Sequence, residues 1–367
     1  MARRIVLFGA SGYTGRLVAE ALARAKARPV LVGRSHQNLA ALGVSLGKGL
    51  DIAVADVAHP ATLLEVLRPH DVLVSTVGPF ARFGRPVVEA AIIRRCTYLD
   101  STGEPPFIRS VIEELGPVAE TAGVTLLPAA AFDYTAGALA AEIALRPVGD
   151  AASRVDIGYF FLGGRRGALS RGTVASLGGF AFTAQPTFRK GELVAGRLGD
   201  RVATFEVGST RRPALSVGGA EHYWLPRRHP SLRDVNVFVG AESREATARL
   251  AGRLVAAGSV IPGVPSLVRL VSRRPRSVAG PSAEQREHSG AEVQAVVYDG
   301  SGTPCRMVVL RGANPYSFSG ALLAWEAMRL AASGDTPAGA QSPLDVFGLE
   351  ELRDAAAEAG LPVAEET

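Results

Sequence analysis

Along the first 130 or so residues, short apolar runs alternate with amphipathic stretches of helical period. The run Ile5-Val6-Leu7-Phe8 contains no polar residue, the pattern of a parallel strand covered on both faces. Similar runs predict strands over 29–32, 50–55, 71–76, 97–99 and 124–127, with helices over 16–26 and 60–67 among the intervening stretches. Strands and helices alternating at this spacing predict an α/β fold with an N-terminal doubly wound parallel sheet. Past about residue 150 the texture changes. Arg154 to Leu162, Leu193 to Val207, Ala214 to Val217, Val235 to Val239, Ala291 to Tyr298 and Cys305 to Arg311 read as strands. They predict a second, α+β domain with a mainly antiparallel sheet. Ser319 to Ala332 reads as a helix with Leu322, Leu323, Trp325, Ala327 and Leu330 on its apolar side.

The chemistry concentrates at the ends of the early strands. The first strand runs into Gly9-Ala-Ser-Gly12-Tyr-Thr-Gly15 and then a helix. Gly9 permits a tight turn, Gly12 lets the backbone approach a pyrophosphate, and Gly15 lets the helix pack close to the strand. The helix that follows aims its free N–H groups at the phosphates, and Ser11, Tyr13 and Thr14 can add side-chain contacts. The second strand ends in Gly33-Arg34-Ser35. An NAD site would carry a carboxylate here for the ribose 2′-hydroxyl. Arg34 instead suits a 2′-phosphate, with Ser35 as hydrogen-bond donor. The competing reading of Arg34 is an ordinary surface arginine. A Rossmann domain for NADP(H) is therefore expected over 1–132, a substrate and dimerisation domain over 133–312, and C-terminal helices over 313–367 that return to the first domain.

Asp56 and Val57 close the third strand. Asp56 suits either the adenine amino group or a cap on the next helix, and the two readings stand level. Val77-Gly78-Pro79, after the fourth strand, is placed near the nicotinamide ribose, because ligands bind beyond the carboxyl ends of such strands.

Composition narrows the classes. Hydrophobic residues make up 47% of 367, enough for a large core. Two cysteines, Cys96 and Cys305, have no metal-ligand spacing, so a reducing cytosol is expected and no metal. The first strand begins so soon after Met1 that no signal peptide is expected. The net charge of +5 comes from scattered arginines without interleaved aromatics, which argues against nucleic acid but would favour an acidic ligand. Residues 248–271 are apolar but interrupted by Arg249, Arg253, Pro262, Pro265 and Arg269. They are too broken to span a membrane and read either as a buried helical pair, the favoured reading, or as a surface wall that meets lipid or an acyl chain, a peripheral membrane contact.

The Gly9–Gly15 motif, Val32-Gly33-Arg34-Ser35, Thr76-Val77-Gly78-Pro79-Phe80 and Tyr98-Leu99-Asp100-Ser101-Thr102-Gly103-Glu104 together resemble the saccharopine-dehydrogenase-like oxidoreductases. Phe132-Asp133-Tyr134 and Arg171-Gly172-Thr173-Val174-Ala175-Ser176 extend the likeness into the second half. Size and motifs are most similar to the actinobacterial trans-acting enoyl reductases, which work beside polyketide synthases lacking a reductase domain. The resemblance implies NADPH-dependent reduction of an α,β-unsaturated thioester, with a small-molecule or carrier-bound acyl substrate, a synthase partner and a homo-oligomer. Tyr134, Arg171 and Thr173 are the candidate donors to the developing enolate or the α-carbon. Tyr134 also fits a packing role with a bonded hydroxyl, and Thr173 and Ser176 fit helix caps. Asp133 is expected to cap the helix that begins near Tyr134. His222 and His229 are expected at the surface, with Tyr223 and Trp224 beside them at a substrate mouth. An imine or ketone reductase and a non-catalytic NADP(H) sensor are the rival readings.

Overall fold

The computed structural model describes residues 3–47, 49–163, 176, 183–240, 280–333 and 335–367. The chain divides into two units, Met1–Thr102 with Phe107–Asp133 and Pro315–Gly348, and Gly103–Pro106 with Tyr134–Asn314 and Leu349–Thr367.

The first unit is built on a parallel sheet. Its strands are β1 (Ile5–Phe8), β2 (Val30–Gly33), β3 (Ile52–Val54), β4 (Val72–Ser75), β5 (Thr97–Asp100) and β6 (Thr125–Leu127). They lie in the order β6-β5-β4-β1-β2-β3, the expected doubly wound arrangement. Helices α1 (Tyr13–Arg24), α2 (His36–Leu46), α3 (Pro60–Val66) and α4 (Phe80–Arg94) connect the early strands. Val6, Leu7, Val32, Leu73 and Val74 are fully buried, as continuous apolar runs in a two-sided sheet require. A seventh strand, the pair Gly339–Ala340, adds beside β6 in parallel. The helix Pro315–Ala332 packs on α1, where Gly320 approaches the Leu17 backbone.

That helix carries Glu326, which has no solvent exposure and no hydrogen-bond partner for either carboxylate oxygen among the described residues. Burial holds its carboxyl well above the usual range. The unfolded chain loses this proton at ordinary acidic pH while the folded chain keeps it, so stability falls as pH rises above the carboxylate range. Glu326→Leu is expected to stabilise the protein by about 1–3 kcal/mol at pH 7, with a gain over wild type that shrinks toward pH 4. Denaturant titrations of both proteins at several pH values check this.

The second unit is a sheet in the order β10 (Val202–Val207), β11 (Thr210–Ser216), β12 (Asp234–Gly240), β7 (Ala152–Leu162), β13 (Gly290–Asp299), β14 (Pro304–Gly312) and β16 (Val363–Glu366), with β8 (Gln185–Arg189) and β9 (Glu192–Gly196) attached through β12. Its long strands are β7, β13 and β14. Every pairing is antiparallel except β7 with β12 (Asp234–Gly240). The predicted strand from Leu193 to Val207 is in fact two, β9 (Glu192–Gly196) and β10 (Val202–Val207). Gly199, at φ +71, turns the chain between them, and its N–H bonds the Ser216 carbonyl at 2.7 Å. Phe205 stacks edge-on against Phe160 and Phe238, with centroids 5.4 and 5.7 Å away. The last strand, β16 (Val363–Glu366), pairs with β14, and the Glu366 carboxylate takes Arg306 at 2.9 Å and Arg353 at 3.1 Å.

The two histidines expected at the surface are not there. His222 is 1% exposed, its Nδ1 accepts the Gly219 N–H at 3.0 Å, and burial pushes its ring down to about 4. His229 Nε2 lies 2.9 Å from Glu142, a buried carboxylate that Arg228 also grips through two nitrogens at 3.0 and 3.1 Å. Tyr223 and Trp224 are buried in the same helix, Glu221–Arg228. The sequence around them is polar, but Arg228 and His229 turn onto Glu142 and His222 onto the Gly219 turn. Residues 248–271 lie outside the described residues. Among the described residues no helix is long and apolar enough to cross a membrane.

Candidate functional site

The site begins with the turn after β1. Gly9 adopts φ +87, and its N–H reaches the Val32 carbonyl at 2.9 Å, which ties the turn to β2. A side chain at Gly9 would press on Thr76 and Val77, the first residues after β4. Thr76 donates to the carbonyls of Phe8 and Gly9 at 3.2 and 3.3 Å. Three strand ends are thus locked together. A Cβ at Gly15 would overlap the Gly9 carbonyl oxygen and meet Ala10 Cα at 2.9 Å, so this glycine lets the first turn of α1 close over the loop.

Gly12 differs from its neighbours. It has an ordinary extended conformation, φ −72 and ψ 170, and a Cβ there would meet one atom, the Gly9 oxygen, at 3.1 Å. It is exposed, and it forms the N-cap of α1 without any side-chain cap. The amides of a helix's first turn have no intrahelical acceptor, so α1 presents donors and a positive dipole end beside a residue without a side chain. Tyr13 is held edge-on by Tyr316 at 5.1 Å, and Arg16 donates to the Ser11 carbonyl at 3.1 Å. Thr14 is half-buried in the same turn.

The end of β2 adjoins this turn. The Ser11 hydroxyl lies 3.6 Å from where a Gly33 Cβ would stand. Arg34 follows, exposed, with no hydrogen-bond or ion-pair partner for its side chain among the described residues. Ser35 is the N-cap of α2, where its oxygen accepts the Asn38 N–H at 3.3 Å and its own O–H stays available. A free guanidinium and a hydroxyl therefore stand beside an uncapped helix start, a donor set that suits the pyrophosphate and the 2′-phosphate of NADP(H).

Asp56 sits beyond β3, where its Oδ1 accepts the Ala58 N–H at 3.0 Å. The N-cap of α3 is His59, so Asp56 shapes the turn before the helix and is not its cap. Val57 is half-buried beside it. Val77, Gly78 and Pro79 are half-buried at the end of β4, with a cis Gly78–Pro79 peptide, and Pro79 is the N-cap of α4.

Two carboxylates that the motif reading left without a functional role follow β5 and β6. Asp100, fully buried, accepts the N–H groups of Thr102 and Ala129 at 2.9 Å on one oxygen and the Tyr98 hydroxyl at 2.7 Å on the other. It joins the loops after both strands. Asp133 lies in the first turn of the helix Phe132–Val148. It caps nothing, contrary to expectation. The amides of Tyr134 and Gly137 go instead to the Tyr159 hydroxyl, at 3.0 and 2.9 Å, and that hydroxyl donates to Glu221 at 2.7 Å. Tyr134 adopts φ +76, a strained conformation for a bulky residue. Its hydroxyl is turned to the carbonyls of Gly103 and Gly218 at 3.2 and 3.0 Å, the bonding of a packing tyrosine. Arg171 and Thr173 lie outside the described residues. Ser176 is described and donates to Glu104 at 2.6 Å.

Residues 5–127 match the family model of the saccharopine dehydrogenase NADP-binding domain. Most of the first unit is thus similar to an NADP-binding domain of that kind. Yeast saccharopine dehydrogenase (L-Glu forming), from Saccharomyces cerevisiae, superposes on all of this chain with a TM-score of 0.66 at 14% identity, covering 99% of its own chain. The two share the fold. A Mycobacterium tuberculosis protein provisionally named a trans-acting enoyl reductase is 36% identical over 179 residues, 47% of this chain and 43% of its own length. The trans-acting enoyl reductase of Mycobacterium ulcerans is 39% identical over 134 residues, 35% of this chain and 32% of its own length. The matched stretches thus span less than half of these relatives.

Proposed function

We propose that the chain is an NADPH-dependent reductase of an activated carbon–carbon double bond, acting on an α,β-unsaturated thioester. The observation that carries the cofactor half is the unpartnered Arg34 beside the Ser11–Gly12 turn. The 36–39% identity to proteins named trans-acting enoyl reductase supports the substrate half. Backbone donors at the start of α1, with Gly12 leaving room, would hold the pyrophosphate, while Arg34 and Ser35 would hold the 2′-phosphate. When bound, NADPH supplies the hydride and leaves as NADP⁺. The β4, β5 and β6 ends, with Val77, Gly78 and Pro79, would then face the nicotinamide. The thioester would arrive on a carrier, in the manner of a reductase serving a separate synthase.

Arg34→Asp removes a charge-assisted bond and places a negative group against the 2′-phosphate. A loss of about 3 kcal/mol is expected, on the order of 100-fold in NADPH affinity, with NADH affinity changed far less. Fluorescence titration with both nucleotides reads this directly. An unchanged preference contradicts the phosphate assignment. NADPH consumption that requires an added enoyl thioester is the expected behaviour of the wild type.

A further inference from the structure

We infer that Tyr316 is a positioning residue for the cofactor: its ring holds the first turn of α1 in the shape that receives the pyrophosphate, a role that rests on the proposed NADP(H) site at the glycine turn. The helix Pro315–Ala332 is far from that turn in sequence but belongs to the same unit. Its contacts with α1 advance in step. Tyr13 meets the Tyr316 ring edge-on, with centroids 5.1 Å apart and 89° between the planes. Four residues on in each helix, Leu17 meets Gly320. Four residues are about one helical turn, so both contacts lie on one face of each helix. The two helices therefore run parallel, with their first turns side by side.

The Gly320 contact fixes how closely α1 sits against its neighbour. A Cβ at Gly320 would stand 2.8 Å from the Leu17 Cβ and 3.1 Å from its carbonyl carbon. The Tyr316 contact falls on Tyr13, the first residue of α1, directly after Gly12. That turn has little local support. Gly12 caps the helix without a side-chain bond. Its N–H returns to the Gly9 carbonyl at 2.8 Å, and its carbonyl accepts the Arg16 N–H at 2.9 Å, the first bond of the helix ladder. The amides of Tyr13, Thr14 and Gly15 precede that bond and have no intrahelical acceptor. A pyrophosphate needs them aligned in advance, because ordering the turn on binding costs affinity. Neither tyrosine ring belongs to the apolar clusters that fill the two faces of the sheet. The pair instead braces the turn itself, and an aromatic pair of this geometry is strong enough to order it.

The test measures two affinities of the full chain, for NADPH and for adenosine 2′-monophosphate, which carries the 2′-phosphate but no pyrophosphate. Tyr316→Leu is expected to weaken NADPH about tenfold, the affinity equivalent of one aromatic pair. Adenosine 2′-monophosphate should bind it as it binds wild type. Tyr316→Phe, which keeps the ring, should bind both ligands like wild type. Gly320→Ala should give the same selective loss through the other contact, because α1 must shift to admit the methyl group, and it carries the test if Tyr316→Leu does not fold. A leucine variant within about twofold of wild type for NADPH overturns the positioning role. So does an equal loss of both ligands, which marks general loosening, or a phenylalanine variant as weak as leucine. Gly12→Val is the control for the site. If it loses NADPH while Tyr316→Leu does not, the positioning role alone falls. If it binds NADPH normally, the pyrophosphate lies elsewhere, and the role falls with that site.

Discussion

Asp100→Ala is expected to lower the free energy of unfolding by about 4 kcal/mol or more, because three buried donors lose their acceptor at once and each orphaned group costs about 1–3 kcal/mol. The donors are the N–H of Thr102, the N–H of Ala129 and the Tyr98 hydroxyl, and they belong to two different strand ends. The site should suffer with the fold, since Asp100 ties together the loops after β5 and β6, at the carboxyl ends of the strands. Asp100→Asn makes the sharper comparison. Both amides bond the same oxygen, Oδ1, while the Tyr98 hydroxyl bonds Oδ2. An asparagine that keeps its oxygen on the amides can turn its NH₂ toward the tyrosine oxygen, which accepts as well as donates. A loss of roughly 1 kcal/mol is therefore expected for Asn. Denaturant midpoints of the three proteins measure the difference. Equal losses for Ala and Asn would mean that the charge of Asp100, and not its hydrogen-bond geometry, is what the fold needs.

The second large effect separates two glycines of one motif. Gly15 is required by the chain itself, because a side chain there strikes the Gly9 carbonyl and the Ala10 backbone. Gly15→Val should therefore destabilise the protein by about 3 kcal/mol or more, the usual scale of an overpacked core position, and lose the cofactor with the fold. Gly12 is ordinary in conformation, exposed, and crowded by a single oxygen at 3.1 Å. Gly12→Val should leave the melting temperature within a few degrees of wild type. It should nevertheless weaken NADPH by about 100-fold or more, since the side chain would stand where the pyrophosphate approaches the start of α1. Calorimetric melting and nucleotide titration of the two variants form the test. Normal NADPH affinity in a folded Gly12→Val protein would move the pyrophosphate off this turn.

The parallel sheet was legible because each of its six principal strands is a short run with its own apolar signal, as in Ile5 to Phe8. Gly339–Ala340 gives no such signal. Two small residues become a strand only because the β6 edge offers them partners. The acidic strand Val363–Glu366 is similarly silent, being held by β14 and by Arg306 and Arg353. The glycine turn and Arg34 could be picked out from spacing alone, since the chemistry there lies in backbone shape and one cation. The failure of Asp133 to cap its helix could not. An aspartate opening a helix reads as a cap, and only Tyr159, from a strand far along the chain, diverts the first-turn amides and leaves the carboxyl without a partner. His222 and His229 misled for a related reason, because they turn onto the Gly219 turn and onto Glu142.

The most direct measurement is mass spectrometry of the product formed from 4-deuterated NADPH and a panel of enoyl thioesters, on coenzyme A and on carrier protein. Deuterium at the β-carbon of a saturated thioester is the result expected of an NADPH-dependent enoyl reductase. NADPH bound with normal affinity, yet no deuterium in any thioester, would contradict that account and leave the chain an NADP-binding protein with another substrate or none.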